Sequence, residues 1–81
     1  MTQEEINQRL SQLFKTVFKQ PDLEIAPEMT ASDVEGWDSI THLDLITAVE
    51  GEFNIEINGF DVMGLQNVGD LEKLVARKLE E

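Results

Sequence analysis

Apolar side chains recur at a helical period along the start of the chain. Ile6, Leu10, Leu13, Phe14 and Val17 fall at i, i+4, i+7, i+8 and i+11, one stripe of a 3.6-residue repeat, and Phe18 extends it. Thr2 followed three residues on by Glu5 reads as a capping box, and Pro21 bars further helix, so the first helix should end near Lys19. A second stripe of Leu43, Ile46, Val49 and Phe53, widened by Leu45 and Ala48, predicts a helix from about Ser39 to Phe53. Asp38 is its natural N-cap and Asn54 its end. A third stripe, Val68, Leu71, Leu74, Val75 and Leu79, follows the cap pattern Asn67-Val68-Gly69-Asp70, and Lys73, Arg77 and Lys78 suit the negative end of that helix dipole.

Between these helices the spacing changes. From Gln20 to Trp37, two prolines and irregularly placed Leu23, Ile25, Met29 and Val34 predict a long loop pinned to the core by those four side chains. A connection of that length is uncommon in a compact domain and is often functional. Residues 55 to 66 are turn-rich around Asn58-Gly59, with Ile55, Ile57, Val62, Met63 and Leu65 as anchors and one helical turn expected near Phe60–Gly64. Strict alternation occurs only over Asn54-Ile55-Glu56-Ile57, too little for a sheet. The pattern therefore predicts an all-α fold over residues 1–81, a single domain. It is a small four-helix bundle of three long helices and a short third one, with a long loop between helices 1 and 2.

Composition narrows the partners. Six basic against seventeen acidic residues give a net charge of −11, which argues against nucleic acid, whose phosphates require a basic patch. Such a surface attracts basic patches on other proteins through salt-sensitive contacts. No cysteine is present, so there is no disulfide, thiolate nucleophile or cysteine metal site. No apolar run reaches the ~20 residues of a membrane span, and MTQEEINQRL lacks the features of a signal peptide. The chain reads as a complete, cytoplasmic, monomeric small protein, its Glu80-Glu81 tail solvated.

The chemistry concentrates in GWDSITHLDLI, residues 36–46, where an exposed-looking tryptophan and an acid precede a serine at a helix start. Ser39 and His42, three apart, share a helix face, which raises nucleophilic catalysis. Against it, there is no G-x-S-x-G elbow, and Asp44 lies two residues past His42, on another face. A purely structural role as a helix-start serine explains the serine but not the apolar pair Trp37 and Ile40 around it. Modification by another protein's active site explains both. A helix N-terminus favours an anion by roughly 0.3–1 kcal/mol, so a phosphodiester is tolerated there.

NIEINGFDVMGL superficially suggests a calcium loop, but its first and twelfth positions are Asn54 and Leu65 where acids are required. With His42 as the only histidine, no metal site is expected. His42 is expected to be a partly exposed helix residue near the serine, able to touch whatever the serine carries.

Asp38-Ser39-Ile40 within GWDSITHLDLITAVEGEFNIEI resembles the D-S-[LI] signature of acyl carrier proteins. The similarity spans the chain: EGEFNIEI at residues 50–57 and NVGDLEKLV at 67–75 flank the signature in register. The resemblance implies a non-enzymatic carrier whose Ser39 is esterified with 4′-phosphopantetheine from coenzyme A by a phosphopantetheinyl transferase. The thiol of that arm would carry acyl groups as thioesters between acyl-loading and acyl-processing enzymes. By the family pattern Asp38 helps the transferase orient the site, Ile40 enters an apolar pocket on it, and Asp44, Glu50 and Met63 meet basic patches on partner enzymes.

Several positions depart from carriers of fatty-acid synthesis. Thr41 stands where an acid is common, Gly51 interrupts a glutamate run, Thr47 replaces a larger apolar residue of the acyl-chain cleft, and Trp37 precedes the aspartate. With Ala48, Thr47 hints at a shallow or polar cleft. These departures favour a specialised polyketide, lipid or surface-polysaccharide pathway. An aminoacyl or peptidyl carrier, and an unmodified acidic helical adaptor, remain as alternatives.

Overall fold

The first helix starts as its capping pattern requires. The Thr2 hydroxyl accepts from the Glu5 N–H at 3.1 Å and donates to the Glu5 carboxylate at 3.3 Å. The computed structural model describes residues 1–80 and contains α1 (Gln3–Val17), α2 (Ser39–Phe53), α3 (Gly59–Met63) and α4 (Val68–Glu80), with no strand among those residues. Glu80 is exposed, and Glu81 of the expected tail lies outside the described residues.

Helix α1 ends at Val17, two residues before the expected stop. Lys19 turns to a left-handed φ of 55°, and the Lys19 and Gln20 N–H groups reach back to the Thr16 and Lys15 carbonyls. These are the two bonds of a Schellman motif, so the backbone turns away before Pro21 can interfere.

The core lies where three amphipathic faces meet. Ile6, Leu10 and Phe14 of α1 pack with Leu45, Ile46, Val49 and Phe53 of α2 and with Val68, Leu71 and Val75 of α4, all buried. Burying side chains of this kind contributes roughly 1.5–3 kcal/mol each, which places most of the stability in α1, α2 and α4. Helix α3 buries none of its residues. Of the four expected loop anchors, Val34 is buried, and Leu23, Ile25 and Met29 are half-buried against the core.

The inward face of α2 differs from the expected stripe at one residue. Leu43 is 62% exposed, and Leu45 takes its place in the core. Two residues differ by about 200° around a helix, so α2 cannot bury both on one face. Because α1 and α4 cover the side bearing Leu45, Leu43 faces away from the bundle.

The long loop is braced midway. The first two N–H groups of α4, from Val68 and Gly69, donate to the loop carbonyls of Met29 and Pro27 at 2.9 and 2.8 Å. This approach explains the glycine, because a Cβ at position 69 would lie 3.1 Å from the Pro27 oxygen. The expected cap pattern also forms: Asn67 accepts from the Asp70 N–H at 2.8 Å, and Asp70 accepts from the Gln66 N–H at 3.1 Å.

Helix α3 is held differently. Asn58 caps it, accepting from the Asp61 N–H at 2.9 Å, and Asp61 pairs with Arg77 at 2.8 Å and Lys78 at 3.0 Å on α4. Chiefly through the Lys78 hydrogen bond, these cations hold the Asp61 carboxyl below its ordinary value. Two of the basic residues assigned from sequence to the α4 dipole thus anchor α3. Asn54, at the first position of the superficial calcium-loop pattern, sits in a left-handed cap, and Asn58 is committed to its helix.

The inward face of α4 also carries a carboxylate. Glu72 is only 7% exposed; Gln3 donates to one of its oxygens at a long 3.3 Å, and the other has no partner among the described residues. Burial pushes this carboxyl above its ordinary value.

Candidate functional site

At the mouth of α2, a closed set of hydrogen bonds surrounds one free hydroxyl. Asp38 adopts an extended backbone, and one carboxylate oxygen accepts from the N–H groups of Ile40 and Thr41, each at 2.9 Å. The Thr41 hydroxyl accepts from the Asp38 N–H at 2.8 Å and donates to the Gly36 carbonyl at 2.6 Å. Thr41 therefore completes the capping box that an acid would complete in its place. The bond from Thr41, then that from Ile40, draws the Asp38 carboxyl below its ordinary value. Ser39, between these bonded neighbours, is exposed, and its hydroxyl has no hydrogen-bond partner among the described residues.

Trp37 is not the exposed residue its neighbours suggested. It is half-buried, with its ring edge-on to Phe14 at 5.3 Å between centroids and tilted against Phe18 at 6.0 Å. Gly36, at a φ of 89°, makes the turn immediately before it. The indole Nε1–H donates to His42 Nδ1 at 3.0 Å, and the two rings lie edge to edge within 22° of one plane. His42 is half-buried as expected, and burial lowers its pKa from the ordinary value near 6.5.

Ser39 and His42 open on the same groove of about 380 Å³, whose walls are mainly apolar side chains of Ala31, Trp37, Leu43, Val62 and Leu65. Thr47, assigned from sequence to a cleft, is exposed and not among its walls; its hydroxyl donates to the Leu43 carbonyl at 3.0 Å. A larger depression of about 640 Å³ runs along the outside of α1 near Gln8, Gln12 and Glu52 and includes none of the site residues.

This arrangement does not assemble a hydrolase. Ser39 makes no bond to His42, whose Nδ1 is occupied by an indole rather than oriented by a carboxylate, and Asp44 is exposed on another face. The site presents a hydroxyl without activating it.

The residues assigned to partner recognition separate into two groups. Ile40 is 75% exposed and Met63 79% exposed, so Met63 is not the anchor that its place in the turn-rich stretch suggested. Leu43 at 62% and Phe60 at 85% expose further apolar surface on α2 and α3. The apolar stripe of α2 places Leu43 in the core, and the turn-rich stretch gives Phe60 no role. A five-residue helix cannot bury several large side chains, and that was the available signal for Phe60. Among the acids, Asp44 is exposed, whereas one Glu50 oxygen accepts from the Ile57 N–H at 2.9 Å and fixes the turn after α2.

Fold and site together define a display protein: a small helical bundle that holds out one unactivated hydroxyl at a capped helix start. Residues 8–75 match the family model described as a phosphopantetheine attachment site. The structure is similar to the solution NMR structure of a holo acyl carrier protein from Geobacter metallireducens, with 34% identity and a TM-score of 0.86, covering 91% of this chain and 85% of that one. It is also similar to a candidate acyl carrier protein from Mycobacterium tuberculosis, with 28% identity and a TM-score of 0.81, covering 89% and 96% of the two chains. The chain belongs to the acyl carrier protein family, whose members are carriers rather than enzymes and bear covalently attached phosphopantetheine.

Proposed function

We propose that Ser39 is the residue that bears 4′-phosphopantetheine. One observation carries this reading: within a capping network that occupies the polar side chains of both Asp38 and Thr41, the Ser39 hydroxyl alone is exposed and unbonded. In the transfer, the serine oxygen forms a bond to the phosphorus next to pantetheine in coenzyme A. The P–O bond to the nucleotide breaks, 3′,5′-adenosine bisphosphate leaves, and the hydroxyl proton passes to a base of the transferase. Once bound, the group supplies a terminal thiol that holds acyl cargo as a thioester. The chain's own part is to fix the serine backbone through the Asp38–Thr41 box and to present a surface to visiting enzymes.

That surface combines apolar Ile40, Leu43, Phe60 and Met63 with exposed Asp44. Asp38 and Glu50 offer partners only the oxygen their internal bonds leave over. Exposed ion pairs with a basic partner contribute roughly 0.2–1 kcal/mol each, which suits a carrier that must dissociate after every step. Trp37, Thr41 and Gly51, which depart from fatty-acid carriers, support a role in a specialised polyketide, lipid or surface-polysaccharide pathway.

Intact mass after incubation with coenzyme A, magnesium and a broad-specificity transferase tests the assignment. The protein should gain one phosphopantetheinyl group, and Ser39→Ala should gain none while keeping its helical circular dichroism. An unchanged wild-type mass would leave an acidic helical adaptor as the better reading.

A further inference from the structure

The helix mouth supplies fewer anion-binding donors than a helix N-terminus ordinarily does. Asp38 takes the Ile40 and Thr41 N–H groups with its side chain, and its carbonyl accepts from the His42 N–H at 2.8 Å. A phosphodiester on Ser39 would therefore lie beside a carboxylate, with the Ser39 N–H the one first-turn backbone donor left among the described residues to offset such a charge. Another donor is needed in the groove that Ser39 opens on.

His42 has one. An indole N–H can only donate, so the Trp37 bond makes His42 Nδ1 an acceptor and places the neutral ring's proton on Nε2. The ring does not swing freely, because Trp37 is itself packed against Phe14 and Phe18. Ser39 and His42 stand three apart on α2, a spacing that brings Cβ atoms within about 5–6 Å, and both line the same groove. A phosphorus on the serine oxygen extends toward the imidazole from there. Gln66, the other neutral side chain there with an uncommitted N–H, is exposed on the segment after α3, and no partner among the described residues fixes it.

We propose that His42 Nε2–H donates a hydrogen bond to a phosphodiester oxygen at the root of the prosthetic arm. His42 is thus a binding residue that sets the direction in which the arm leaves the protein. The proposal rests on Ser39 being the attachment point. Among the described residues Asp38 is the only charged side chain lining this groove, and it is present with and without the arm, so a change in His42 on attachment reports the arm.

The test is an NMR titration of the His42 imidazole in the unmodified protein and in the mass-verified modified protein, with ³¹P spectra of the latter. In the modified protein the His42 pKa should rise by ~0.5 unit, as a hydrogen-bonded anion stabilises the protonated ring. The rise should persist in high salt, where a mere through-space effect of the phosphate is screened. The ³¹P signal should show an inflection at the same pH, and His42→Leu should remove it. Attachment without a pKa rise, or with a rise that disappears in high salt, would overturn the contact and leave Ser39 as the attachment point. Failure of the wild-type protein to gain mass would overturn both.

Discussion

Asp38 and Glu72 are both carboxylates on the helical framework, and their surroundings are opposite. Asp38 is exposed yet closely bonded, with two N–H groups on one oxygen and a hydroxyl returning the contact from Thr41. Glu72 is buried, with one long bond to Gln3 and one oxygen left without a partner among the described residues. The first is drawn toward the charged form by its hydrogen bonds and the second toward the neutral form by desolvation. Hydrogen bonding is dense around the serine, and slack where α1 and α4 merely pack together.

Replacing Glu72 should produce the largest change. Glu72→Met keeps the side-chain length and removes an incompletely bonded buried group, so the protein should gain about 1–2 kcal/mol at neutral pH by urea denaturation. An acid titration sets the two groups against each other. Glu72 has a folded pKa raised above its unfolded value, so its penalty is absent below the unfolded value near 4.5 and is complete once pH has risen through the folded value. The gain from Glu72→Met should accordingly shrink as pH falls through that window. The folded pKa of Asp38 is lowered, so its contribution is present above the unfolded value near 3.8 and lost as pH falls through the folded one.

Asp38→Ala should lower the urea midpoint at pH 7, by less than Glu72→Met raises it, and the loss should disappear at acid pH. Thr41→Val should have the smallest effect, about 0.5 kcal/mol, since water can replace its two bonds at this exposed end. A Thr41→Val loss exceeding that of Asp38→Ala would show that the threonine, rather than the aspartate, holds the serine in place.

Three helices and the loop anchors were legible because their apolar periods are regular and their caps obey local rules that Thr2, Asp38 and Asn67 satisfy within three residues. The core face of α2 was less legible. Ile40, Leu43, Leu45, Ile46 and Val49 place apolar side chains nearly all round that helix, and only the positions of α1 and α4 decide which of them is covered. Glu72 could have been placed inside, since it lies four residues after Val68 and three before Val75. Ser39 stood out through the residues around it. The Trp37–His42 bond did not, because it spans the loop–helix boundary and depends on the turn at Gly36 and on a ring seat provided by Phe14 and Phe18.

The groove beside Ser39 has walls of very different firmness. Both Trp37 and Val62 pack half-buried against the core, but Trp37 is seated on Phe14 and Phe18, whereas Val62 stands on a five-residue helix that buries nothing fully and is tied to α4 by the Asp61 charges. Electrolyte weakens the second kind of support and hardly touches the first. Amide protons of α3 should therefore exchange well before those of α2 as salt is raised, which gives the cleft one fixed jaw and one compliant jaw, able to widen for bulky cargo while the rest of the bundle stays shut.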